Sequence, residues 1–107
     1  MSIATKRERK SNVSINVKER IAPPRLWKVI MWNDDVTTFQ FVIMVLTKIF
    51  NYSFNEANVM AYKIDQEGKG VVGKYIKSIA EAKRDTALTL AQDAGFPVKV
   101  TIEREED

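Results

Sequence analysis

A chain of 107 residues, 45% hydrophobic and 29% charged with a net charge of +3, has the size and composition of one soluble globular domain. It holds neither cysteine nor histidine, which excludes disulfide scaffolds, thiol nucleophiles and zinc–cysteine sites and removes the usual general base near neutral pH. No apolar run approaches the ~20 residues that span a bilayer, and the polar start lacks the apolar core of a secretion signal, so the expected location is the cytoplasm.

The positive charge is uneven. Residues 1–22 carry six Lys/Arg against two Glu, a net +4, whereas residues 23–107 sum to −1. The first segment shows no sustained period and few large apolar residues, and is expected to be a disordered basic extension. Pro23-Pro24 marks the boundary, because proline disfavours helix at its own position and the one before. The folded unit is therefore placed at 23–107.

Leu26 to Trp32 reads as a strand. WNDDVTT follows it, and then Thr38 to Asn51 reads as a helix, with Phe39, Val42, Ile43, Leu46, Ile49 and Phe50 on one apolar face. Thr37 and Gln40 match the capping-box spacing; so do Ser53 and Glu56, opening a second helix through Asp65, and Ser78 and Glu81, opening a third through Ala94. Gly68-Lys69-Gly70 is read as the turn into a strand over Val71 to Ile76. Gly95 and Pro97 end the third helix, and Val98, Val100 and Ile102 alternate with polar residues in a last strand, after which the acidic tail EREED is expected to fray. The order β-α-α-β-α-β predicts an α+β fold, a small three-stranded antiparallel sheet with three helices.

The chemistry is concentrated in Asn33, Asp34 and Asp35. Such residues end strands and start helices by accepting bonds from free backbone N–H groups. Three in a row, followed by a threonine that already offers a cap, exceed what a turn needs. An acceptor cluster of this kind suits an ammonium group, which brings three donors and no acceptor. A divalent-metal site of Asp34, Asp35 and Asp65 is the weaker alternative, since no calcium-loop spacing surrounds them. No phosphate-loop spacing occurs at Gly68-Lys69-Gly70. Catalysis is not expected, nor is any cofactor.

The segments PPRLWKVIMWNDDVTTFQFVIMVLTKIF, NEANVMAYKIDQEGKGVVG and IAEAKRDTALTLAQDAGFPVKVTIE together resemble the ClpS-type adaptor domain, the bacterial N-end-rule recognition protein, over residues 23–104. The resemblance implies an adaptor that binds proteins with a free α-amino group and a bulky first residue (Leu, Phe, Tyr or Trp) and delivers them to a Clp AAA+ unfoldase of the ClpA or ClpC type. It implies a monomer with no membrane or nucleic-acid partner. On this pattern Asn33, Asp34 and Asp65 contact the α-amino group, with Asp35 and Thr37 in support. Phe39, Val42, Ala61, Ile64 and Val98 form the hydrophobic pocket. Ser78 and Lys83 face the ATPase. The chain departs from the pattern in the pocket: Asp65 replaces a usual histidine, and Phe39 and Ala61 replace two usual methionines. Two other classes compete, an interaction domain of the ribosomal-stalk type and nucleic-acid contact through the basic tail. The first needs no amine-binding cluster; the second predicts strong salt dependence.

Overall fold

The computed structural model describes residues 23–106, so the basic segment 1–22 lies outside the described residues. Six elements follow in the expected order: β1 (Trp27–Trp32), α1 (Phe39–Lys48), α2 (Phe54–Glu67), β2 (Lys69–Tyr75), α3 (Lys77–Ala94) and β3 (Lys99–Arg104). The strands form one antiparallel sheet in the order β2-β1-β3. Among the described residues no helix is long and apolar enough to cross a membrane.

The pleat of β1 sets the two faces of the sheet. Val29 and Met31 join the core, together with Val45 and Leu46 of α1, Ala57 and Ile64 of α2, and Ala80, Ala87 and Ala91 of α3. The alternate residues Lys28, Ile30 and Trp32 point to the other face. There Trp32 stands between its cross-strand partners Lys69 and Lys99, each ammonium 4.7 Å from the ring centroid, and its indole N–H donates to Thr101 Oγ1 at 2.9 Å. Small buried alanines let α3 lie close on the sheet.

The register between β1 and β2 shifts at Val29/Ile30 and leaves Val72 without a partner residue. The Tyr52 hydroxyl, at the entrance to α2, donates to the Val72 carbonyl at 2.8 Å and satisfies the backbone group that the bulge frees. Gly70 allows the close approach of β2 to α2, because a Cβ there would lie 3.0 Å from both Ile64 Cγ1 and Met60 Sδ. These two contacts hold α2 beside the sheet edge.

Of the three expected capping boxes, one forms. Ser53 Oγ accepts from the Glu56 amide at 3.1 Å and Glu56 Oε1 accepts from the Ser53 amide at 2.9 Å. At α1 the cap is Thr38, whose hydroxyl accepts from the Phe41 amide, because Thr37 is engaged elsewhere. At α3 the helix begins at Lys77, so Ser78 already sits in its first turn; Ile76 takes the cap position and makes no side-chain cap bond. The turn between α2 and β2 is also shorter than expected. Gly68 alone, at φ +91°, ends the helix in the left-handed region, and Lys69 and Gly70 already belong to β2. The acidic tail is tied down as far as Glu105: its amide donates to the Leu26 carbonyl, its carbonyl accepts from Arg25, and its carboxylate pairs with Lys74 at 2.6 Å.

Candidate functional site

Beyond Trp32 the backbone stays tied to α2. The Asn33 amide donates to the Gly68 carbonyl at 2.9 Å, which holds the start of the loop over the C-terminal end of that helix. Asp65 is thereby set across from the loop. Between them, closed by the start of α1, is a recess of about 310 Å³. Its polar side is made by Asn33, Asp34, Asp35, Thr37 and Asp65, and its apolar side by Phe39, Val42, Ala61 and Ile64.

Within the loop the carboxylates divide their work. Asp34 Oδ1 accepts from the amides of Val36 at 2.8 Å and Thr37 at 2.7 Å, while Oδ2 accepts from the Thr37 hydroxyl at 2.7 Å. Asp34 thus builds the turn. Burial pushes its carboxyl pKa upward, but the Thr37 hydroxyl and the Thr37 and Val36 amides outweigh that and hold it below the ordinary value. A carboxylate offers about four lone-pair sites; three are used, and one on Oδ2 remains. Asp35 is exposed, and among the described residues nothing bonds its carboxylate. Asp65 is exposed too and accepts one bond, from Gln66 Nε2 at 3.0 Å.

The apolar side comes from the start of α1 and the second half of α2. Phe39 is the first residue of α1 and Val42 lies one turn on; Ala61 and Ile64 sit on the buried stripe of α2 and are 3% and 2% exposed. The recess therefore joins three carboxylates and a carboxamide at its rim to an apolar floor. It can take a small cation with several N–H donors attached to an apolar group. Among the described residues no group of carboxylates is arranged to hold a metal ion.

Every residue lining the recess was named from the resemblance, and the remaining expected member, Val98, is not among those that line it. Val98, just before β3, is buried in the main core. It stays next to the loop all the same: β1 and β3 run antiparallel with Trp32 opposite Lys99, which brings Val98 level with Asn33. Ser78 and Lys83 do not line the recess. Ser78 is exposed on the first turn of α3. Lys83 turns inward, donating to the Ile49 carbonyl at 2.7 Å, with its ammonium 5.3 Å from the Tyr75 ring centroid and 5.9 Å from that of Phe50. What the sequence pattern missed is the engagement of Asp34 and Thr37 with each other; the Asp-x-x-Thr spacing is its only trace.

The family model for the ATP-dependent Clp protease adaptor protein ClpS matches residues 22–101. The chain belongs to the ClpS family. It is 36% identical to the ATP-dependent Clp protease adapter protein ClpS of Desulforapulum autotrophicum over 96 residues, covering 90% of this chain and 92% of that one. The ClpS of Desulfatibacillum aliphaticivorans is 43% identical over 82 residues, covering 77% and 79%. Among solved structures, Agrobacterium tumefaciens ClpS2 bound to L-phenylalaninamide superposes with a TM-score of 0.75 at 36% identity, covering 78% of this chain and all of that one. ClpS proteins are non-catalytic adaptors of the Clp protease, and the α+β fold described above is theirs.

Proposed function

We infer that this ClpS chain binds the first residue of a polypeptide and delivers that polypeptide to a Clp AAA+ unfoldase in the cytoplasm. The observation that carries the reading is the recess itself, with an acidic rim and an apolar floor in one small volume. The α-ammonium bonds to the Asn33 carboxamide oxygen, the remaining site on Asp34 and the carboxylate of Asp65, with Asp35 adding negative charge and Thr37 fixing Asp34. A bulky first side chain (Leu, Phe, Tyr or Trp) is buried against Phe39, Val42, Ala61 and Ile64. L-phenylalaninamide, the ligand of the ClpS2 structure, combines the same two features: a free amine and an apolar ring. Its blocked carboxyl resembles that of a residue inside a chain.

The chemistry excludes blocked termini. An α-amino group is charged below its pKa of ~7.7–8.0. Acetylation removes that charge and most of its donors. The desolvated acceptors of the rim then lose their partners, a cost of about 1.5–3 kcal/mol, or tenfold to more than a hundredfold in affinity.

The unfoldase docks, in this reading, on the side of α3 that carries Ser78 and Lys83. A groove of about 380 Å³ lies there, with Ile49 and Ile79 in it and Lys48 and Lys83 beside it. Lys83 serves this surface by holding the end of α1 in place.

Fluorescence anisotropy with a labelled Phe-initiated peptide and its N-acetylated copy tests the amine reading. The free peptide is expected to bind and the acetylated one to be at least tenfold weaker; equal affinities reject the reading.

A further inference from the structure

We propose that Phe39 and Ala61 make this recess selective for aromatic first residues over leucine. The inference rests on the recess being the pocket for a first residue. Phe39 is a large apolar side chain left 41% exposed on the first turn of α1, outside the core cluster, so part of it stays accessible to a guest in the recess. It is the aromatic group of the recess wall. Ala61 is the opposite case: it is 3% exposed yet also stands outside the core cluster, and its methyl lies at the recess floor. A short side chain there, on the same buried stripe as Ile64, leaves depth between α2 and Val42 of α1.

Depth and an accessible ring favour a planar guest. An apolar cavity of ~150 Å³ is enough to take up benzene. The recess of about 310 Å³ has room for a ring together with the ammonium and the first backbone atoms. A ring entering beside Phe39 reaches an offset-stacked or edge-to-face arrangement, a gain that leucine cannot make. Leucine, being smaller, also leaves part of the floor unfilled, and unfilled apolar volume is unfavourable. Together these favour Phe- and Trp-initiated chains over Leu-initiated ones by roughly threefold to tenfold.

The test measures affinities of three peptides that differ only in a first residue of Phe, Trp or Leu, with N-acetyl-Phe as control. The proteins are the full chain, Phe39→Leu and Ala61→Met, each checked for an unchanged circular dichroism spectrum. The full chain is expected to prefer Phe and Trp over Leu by roughly threefold or more. Phe39→Leu keeps an apolar wall but has no ring, so its preference should shrink to what the floor at Ala61 supplies, while it still rejects the acetylated peptide. Ala61→Met fills the floor and should weaken Trp more than Leu. Leucine binding as tightly as phenylalanine to the full chain overturns the proposal, and so does a preference that is undiminished in Phe39→Leu. If no free-amine peptide binds, the first-residue reading falls, and this proposal with it.

Discussion

The two ends of α1 handle charge in opposite ways. At its C-terminal end the Lys83 ammonium is consumed by the fold, bonded to the Ile49 carbonyl and lying near two aromatic rings. At its N-terminal end three carboxylates gather, and only Asp34 is substantially engaged. Asp35 and Asp65 retain nearly all their acceptor capacity. The difference follows from reach. A helix end satisfies its orphan backbone groups with whatever side chain arrives first. Lys83 arrives from α3 at one end; Thr38 caps the other from within the chain, which leaves the neighbouring acids free. Charge next to a helix is therefore a mark of a binding site only after the capping demands have been met.

Breaking Asp34 should have the largest effect, because it belongs to both roles. Asp34→Ala removes the acceptor for two amides and a hydroxyl, and is expected to cost about 1–2 kcal/mol of stability. For a domain of this size each kcal/mol lowers Tm by about 4–8 °C. The same variant should lose at least tenfold in affinity for a free-amine Phe peptide. If stability falls and affinity holds, Asp34 is a turn residue alone. Its titration gives a second check. The folded pKa lies below the ordinary value. The stabilisation is thus complete above the unfolded pKa of ~3.9 and is lost as pH falls through the lower folded value. Asp34→Ala should flatten that acid limb of the stability curve.

Lys83→Met comes next and probes the other end. It leaves the Ile49 carbonyl without its cation and is expected to cost about 1 kcal/mol, read as Tm. Unlike Asp34→Ala, it should keep the discrimination between free and acetylated peptides. The smallest effect separates two hydroxyls. Thr38→Ala removes a formed cap and should cost about 1 kcal/mol, whereas Ser78→Ala, past the start of α3, should stay within about 0.5 kcal/mol. Denaturant midpoints for the pair decide whether capping geometry or sequence spacing matters.

The element order, the helix faces and the members of the recess were legible in the chain because they depend on local period and on a distinctive run of residues. Phe39 and Val42 fall on the apolar stripe that periodicity reveals, Asp34 and Asp35 stand where a strand gives way to a helix, and Ala61, Ile64 and Asp65 were named by the resemblance. Local spacing also predicted three capping boxes, and there it was a poorer guide. A hydroxyl three residues before Glu or Gln says nothing about whether the helix begins at that hydroxyl. Thr37 turned to Asp34, Ser78 fell inside α3, and Ser53 alone met both halves of the pattern.

Tertiary structure decided the rest. Val98, named for the pocket by the resemblance, joins the buried core just before β3, level with Asn33 across the β1–β3 register. Asp65 reaches the recess because the Asn33 amide is bonded to the Gly68 carbonyl, a contact 35 positions apart in the chain that no local pattern encodes. The sequence by itself determined which side chains could take an ammonium and an apolar group, since donor and acceptor chemistry belongs to the residue. Only the fold determined which acceptors stay free, since that depends on which backbone groups lie within hydrogen-bond reach.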